Sequence, residues 1–289
     1  SYTNNKLVKK FYMNFNMFFV KKNKNMKKFF FEKQLNVKQI NTHYDLMQKS
    51  DITNQHLDSL NQNGIVVLEN ALTTQEHNNI KKNFDEFKHD LESDNLDKYK
   101  DNKLNVVKNK NLSSSYTVFD DLKEHSNLKI INDLISKEIY GQITKPLQRY
   151  EYKKISNLPD PIIYGENDWH ADRYIPNLKF LYFPYDVLID GAPHKYAIGS
   201  HKISRDYMNF FLNQTGPANE RRTIKSSNDK ETFLKKAKEF PVKGNTLIAV
   251  LTNGFHSRSP FKSEGERHTL VLQNDDYKIQ SIISYSNSL

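Results

Sequence analysis

Two stretches decide how this sequence reads: Asn167-Asp168-Trp169-His170-Ala171-Asp172 and, far along the chain, Leu251-Thr252-Asn253-Gly254-Phe255-His256-Ser257-Arg258. If the first is a strand, side chains alternate faces, so His170 and Asp172 project the same way and can grip one metal ion. A third ligand must come from elsewhere. His256 follows the apolar, β-branched run Thr246-Leu247-Ile248-Ala249-Val250-Leu251, which reads as another strand ending near the same place. Two neutral imidazoles and one carboxylate on one face of an octahedron leave the other positions open. That is the facial triad of non-haem Fe(II) oxygenases. A His-x-Asp triplet alone would be weak, because such triplets are common and a lone histidine is more often a hydrogen-bonded structural residue.

Arg267 lies eleven residues past His256, after a turn containing Ser263 and Gly265 and just before the apolar run Thr269-Leu270-Val271-Leu272. The pattern reads as the returning strand of a hairpin. A planar, permanently charged guanidinium suits bidentate capture of a carboxylate, and the far carboxylate of 2-oxoglutarate is the natural candidate. Thr269, two residues on, faces the same way and can add a hydroxyl.

With these residues in view, the sequence from Leu57 to Asp276 resembles the phytanoyl-CoA dioxygenase family of Fe(II)- and 2-oxoglutarate-dependent oxygenases. Two further motifs carry the resemblance. LDSLNQNGIVVLENALTTQE (57–76) matches the family's Gly-apolar strand leading into a helix, and GAPHKYAIGSHK (191–202) matches its loop and strand ending in Gly-Ser-His-Lys. The resemblance implies a mainly β fold with flanking helices, a double-stranded β-helix or cupin-like jelly-roll barrel whose mouth holds the metal. It implies Fe(II), 2-oxoglutarate and O2 as cofactor and co-substrates, with hydroxylation at an unactivated carbon and succinate and CO2 as co-products. Oxidative cyclisation or desaturation, or an inactive binding barrel, are its alternatives. Asp172 is intact, which argues against the halogenating relatives that replace this carboxylate. Tyr182 falls where relatives place a second 2-oxoglutarate contact, with core packing as the competing explanation. Arg258 stands where several relatives carry a small hydroxyl residue; facing inward it would meet a substrate carboxylate, and otherwise it is a surface arginine in a turn. Lys153 and Lys154, in the strand before the metal motif, are further candidates, since alternation points one of them inward, and Trp169 and Tyr174, flanking the motif, either line the pocket or pack in the core. The expected substrate is a small anionic molecule. His201 reads as structural, and His268 as facing away from Arg267.

Composition fits one main domain able to bury a core. There is no cysteine, so disulfides, zinc-thiolate sites and thiol nucleophiles are excluded and a reducing compartment is allowed. The net charge of +9 is not spread evenly: residues 1–40 hold ten of the 43 basic residues and one of the 34 acidic ones, leaving the rest balanced. A neutral body lacks the basic groove that phosphate contacts need, so no nucleic acid partner is expected. The chain divides into a basic, aromatic-rich arm, 1–56, and an oxygenase domain, 57–289. Lysines interrupt every apolar run of the arm, so no transmembrane span is expected, and the placement is cytoplasmic, with the arm as a targeting or membrane-surface segment in the alternative. Oligomeric state is not legible.

Locally, Asn63-Gly64 precedes the strand-like Ile65–Asn70, Thr73 and Glu76 form a capping box, and Ile80, Phe84, Phe87 and Leu91 recur at helical spacing. A second helix is expected over Asp120–Ile139 and a strand over Arg149–Ser156. An insertion near 205–240 is placed to be a lid, with Arg221-Arg222 facing an anionic substrate or, alternatively, as a solvated charged helix; its tail offers a Glu231–Lys235 helical pair.

Overall fold

A computed structural model describes residues 54–93, 99–101, 104–108, 129, 132–133, 147–155, 168–172, 177–213 and 222–273. Residues 1–53 of the N-terminal arm, most of the expected 120–139 helix, Tyr174 and Arg221 lie outside the described residues.

The described elements run α1 (Asn54–Asn63), β1 (Ile65–Leu68), α2 (Thr74–Ser93), β2 (Tyr99–Asp101), β3 (Leu104–Lys108), β4 (Leu147–Ile155), β5 (Leu178–Phe183), β6 (His194–Ala197), α3 (Arg205–Asn213), α4 (Ser227–Phe233), β7 (Ala237–Phe240), β8 (Thr246–Leu251), β9 (His256–Arg258) and β10 (Gly265–Gln273). Among the described residues they form two antiparallel sheets. The larger has the order β1-β8-β5-β10-β4-β3-β2 and the smaller β7-β6-β9. The mainly β architecture with helices alongside agrees with expectation.

Several local signals appear as read. The capping box forms: the Glu76 carboxylate accepts from the Thr73 backbone N–H at 2.8 Å, and the Thr73 hydroxyl accepts from the Glu76 N–H at 3.3 Å. Ile80 and Phe84 of α2 are buried. Gly64 turns the chain from α1 into β1 at φ +80°, and a Cβ there would stand 2.3 Å from the Tyr196 hydroxyl and 2.4 Å from the His201 ring. Only glycine fits, because that conformation and that proximity both exclude a side chain. The contact joins the 57–76 motif to the Gly-Ser-His motif. His201, buried, bonds the Asn61 carbonyl at 2.9 Å, and burial draws its pKa down to about 4. It is structural, as its motif suggests.

The two faces of the larger sheet differ. On β5, Leu181 and Phe183 pack with Ile65, Ile248, Val250 and Val271 into the core between the sheets, and Lys179 shares their face by alternation. A second, aromatic cluster lies under α3, where Tyr207, Phe210 and Phe211 meet Phe255 tilted, edge-on and stacked respectively. Phe255 sits one residue before His256, so this packing anchors the strand that carries it.

Three expectations need correction. β10 is not the hairpin partner of β9: β9 pairs with β6 in the smaller sheet, while β10 pairs with β4 and β5 in the larger. The turn between them carries the chain from one sheet to the other. Secondly, His170 and Asp172 do not lie on a regular strand; His170 forms isolated bridges with Thr223 and His256, and Asp172 sits in a bend. Thirdly, α4 ends at Phe233 and Leu234 caps it, so Glu231 and Lys235 do not make a helical pair.

Candidate metal centre

The backbone around His170 is held on both sides. His170 exchanges N–H···O bonds with His256 at 3.0 and 2.9 Å, Ala171 donates to the Arg222 carbonyl, and Asp172 donates to the Thr252 carbonyl. These bonds substitute for the strand that alternation predicts, and they put the His170, Asp172 and His256 side chains together. One ligand-capable atom from each lies within 4.8 Å of the other two. Both histidine Nε2 atoms are 3.6 Å from Asp172 Oδ1, and the two rings are 4.5 Å apart.

The second nitrogen of each histidine is already committed. His170 Nδ1 bonds the Asp168 carbonyl at 2.8 Å and His256 Nδ1 the Gly254 carbonyl at 2.9 Å. A carbonyl only accepts, so each Nδ1 carries the proton and each Nε2 presents a lone pair. That is how outer contacts fix a ligand's tautomer and ring orientation. Burial lowers the His256 pKa against the opposing pull of Asp172, which keeps its imidazole neutral as a ligand must be.

Asp172 has a partner that the sequence reading missed. Lys179 Nζ stands 2.5 Å from Asp172 Oδ2, leaving Oδ1 toward the two imidazoles. Burial would raise the Asp172 pKa, but Lys179, His256 and His170 together hold it well below the usual carboxylate range. The missed signal was a lone lysine in the otherwise apolar Leu178–Phe183, since a cation in a fully buried strand needs a partner. Two imidazole nitrogens and one carboxylate oxygen on one side fit a divalent first-row metal with open positions. His170 and Asp172 side chains are about one-fifth exposed and His256 is buried, so the open side faces solvent past the first two.

Arg267 is buried on β10, with its guanidinium 5.5 Å from the Phe183 ring centroid. Thr269 is buried two residues on, in register with the core side of the sheet. Arg258 is buried on β9, on the His256 face by alternation, with Nη1 donating to the Ser259 carbonyl and its guanidinium over Phe261. It is not the surface turn residue of the alternative. Lys153 stands opposite Arg267 in the β4–β10 register and Lys154 opposite Glu266. Trp169 is partly buried beside the aromatic cluster, with Lys195 Nζ 5.1 Å from its ring centroid. Arg222 lies beside the metal motif through its carbonyl bond to Ala171. His268 faces the opposite side from Arg267, its ring 4.8 Å from Tyr185.

Tyr182 departs from expectation. It alternates with Lys179, Leu181 and Phe183 and so lies on the other face of β5, where its hydroxyl donates to Asn245 Oδ1 at 3.2 Å and burial raises its pKa. This placement is the one that the core-packing explanation describes.

A further residue comes to the site unannounced. His194, at the start of β6, is buried opposite Arg258 in the β6–β9 register, with its ring 5.8 Å from that of His256. Burial, reinforced by His256, Arg267, Lys179 and His170, lowers its pKa well below the ordinary value.

No sequence-family profile and no curated protein matches the chain. Solved structures do. The epimerase SnoN, in complex with Fe3+, alpha-ketoglutarate and a nogalamycin compound, aligns with TM-score 0.54 at 14% identity, covering 76% of this chain and 81% of SnoN. AviO1 from Streptomyces viridochromogenes Tue57 aligns with TM-score 0.51 at 14% identity over 78% of this chain and 95% of AviO1. At such identity the likeness bears on the fold.

Proposed function

We propose that this chain is a non-haem Fe(II)- and 2-oxoglutarate-dependent oxygenase of the phytanoyl-CoA dioxygenase type, built on a jelly-roll barrel over residues 57–289. The observation that carries the reading is the set of three ligand atoms within 4.8 Å, each imidazole already oriented by a backbone carbonyl. The fold shared with SnoN, which was solved with iron and alpha-ketoglutarate, supports it. His170, Asp172 and His256 would hold the metal; Arg267 and Thr269 would hold the far carboxylate of 2-oxoglutarate. Bound iron supplies the O2 chemistry: 2-oxoglutarate is oxidatively decarboxylated to succinate and CO2, and one oxygen atom enters a C–H bond of the substrate.

The chain's own part is position and electrostatics. Lys179 holds Asp172 Oδ2, so the carboxylate presents one oxygen to the metal. The backbone ties among His170, Ala171, Asp172, Arg222, Thr252 and His256 fix the ligand set before anything binds. Arg258 and one of Lys153 and Lys154, with Trp169, would receive a small anionic substrate on the open side. SnoN is an epimerase, so chemistry on this fold is not confined to hydroxylation, and cyclisation or desaturation is the second reading. The arm, 1–56, is outside this chemistry, and among the described residues no helix is long and apolar enough to cross a membrane. A cytoplasmic placement, with the arm as a targeting or surface-binding segment in the alternative, and a region 205–240 that closes over an anionic substrate belong to the same proposal.

The test is substrate-free turnover: wild type given Fe(II), 2-oxoglutarate and O2 should release succinate slowly, and Asp172→Ala should release none above background. Succinate release equal in both, or absent from wild type across a panel of small carboxylate substrates, would contradict the proposal.

A further inference from the structure

The core of this protein contains a histidine that packing alone does not explain. His194 is 6% exposed, and its Nε2 atom is buried without a hydrogen-bond partner. Leaving a buried polar atom unmatched costs on the order of 1 to 3 kcal/mol, so an apolar residue of similar size would serve a merely structural position better. Other buried polar atoms are also unmatched, among them Thr246 Oγ1 and Ser257 Oγ. What separates His194 is where it stands.

Its register partner across the smaller sheet is Arg258, and Tyr196, two residues on, pairs with His256. Directly opposed residues of an antiparallel pair share a face, so His194, Arg258 and His256 point to the same side. The His194 ring is 5.8 Å from that of His256, yet its nitrogens are not among the three ligand atoms clustered within 4.8 Å. It therefore stands beside the metal-binding set without belonging to it. Behind burial and His256, Arg267 and Lys179 bear on it, and both are cations. An unmatched imidazole nitrogen on which two cations bear is suited to an oxygen anion, which can accept from it.

We propose that His194 Nε2 is a co-substrate contact, donating a hydrogen bond to a carboxylate oxygen of 2-oxoglutarate. The inference rests on the oxygenase reading above and extends it to a residue outside the ligand set and the Arg267–Thr269 pair. Among the described residues, the bound acid would give the buried nitrogen the partner that the protein itself does not.

The test is anaerobic binding with the full chain. Metal affinity is measured with Co(II) alone, and 2-oxoglutarate affinity is then measured on the Co(II)-loaded protein, for wild type, His194→Leu and His194→Gln. Thermal unfolding in each case checks that the variant is folded. The expected result is Co(II) affinity within about twofold of wild type, 2-oxoglutarate affinity about tenfold weaker in the leucine variant, and a smaller loss in the glutamine variant, whose amide can donate in place of the ring. Equal 2-oxoglutarate affinity in wild type and the leucine variant would overturn the assignment of His194 while leaving the oxygenase reading intact. No metal-dependent 2-oxoglutarate binding in wild type would instead remove the reading on which it rests. Should His194→Leu fail to fold, an unchanged affinity in the glutamine variant together with a His194 ring 15N signal that does not move when 2-oxoglutarate is added to the Zn(II)-loaded protein would overturn it equally.

Discussion

At the scale of single residues, Asp172 and Lys179 form one unit. The ion pair leaves Asp172 Oδ1 for a metal, and removing the lysine would free the carboxylate to rotate. Lys179→Met is therefore expected to weaken Fe(II) or Co(II) binding by about 10- to 100-fold, as outer contacts of metal ligands commonly do. Calorimetric titration with Co(II) checks this, and an unchanged affinity would reduce the pair to core electrostatics. The clustering of the three proposed ligands was legible in the sequence because metal chemistry restricts residue type and spacing. Lys179 and His194 were not, since their roles come from neighbours 7 and 62 residues away along the chain, Asp172 and His256. The face on which Tyr182 lies was not legible either: alternation fixes which residues share a face, but not which face is the inner one. His201 gives a pH signature. Its pKa falls from the ordinary 6.5 to about 4 on folding, so the unfolded chain binds more protons between these values and stability rises with pH. That contribution is complete above pH 6.5 and is lost as pH falls toward 4. Between pH 8 and pH 5 the loss is about 2 kcal/mol, and His201→Gln should remove it. Urea unfolding of both proteins in chelator at the two pH values measures the difference.

At the scale of elements, the loop before β9 is the most constrained piece of the site. A Cβ on Gly254 would lie 1.9 Å from the Tyr196 hydroxyl, and that tyrosine is buried and bonded to the Leu251 carbonyl, so it has nowhere to move. The Gly254 carbonyl also holds His256 Nδ1. Gly254→Ala is expected to lower both thermal stability and metal affinity, whereas Phe255→Ala should cost about 3 to 5 kcal/mol through the cavity it leaves under α3. Urea unfolding and Co(II) titration on the two variants separate the effects. The Thr73–Glu76 capping box, β1, β4 and β8 were legible because their signals are local. The partner of β10 was not: a turn with Ser263 and Gly265 reads as a hairpin, but pairing is decided by which sheet each strand packs into. The metal motif was assigned to a strand for a related reason. Its side chains converge as alternation requires, but backbone bonds to the distant residues Arg222, Thr252 and His256 achieve it without a ladder.

At the scale of the whole molecule, the excess positive charge resides in residues 1–40 and the rest is balanced. Deleting 1–40 should abolish any salt-sensitive binding to DNA or RNA while leaving succinate release unchanged, and fluorescence anisotropy with a labelled oligonucleotide beside the turnover assay checks it. The fold brings His170, Asp172 and His256 together from segments 84 residues apart and carries Arg267 on the larger sheet, where the proposal has it receive the far end of a dicarboxylate. The most direct test of that arrangement is anaerobic titration of Fe(II)-loaded protein with 2-oxoglutarate, following the weak visible charge-transfer band of the chelate in wild type, His170→Ala and Arg267→Ala. The expected result is a band in wild type, none in the histidine variant, and one that needs more 2-oxoglutarate in the arginine variant. A folded, metal-loaded wild type that gives no band would contradict the account.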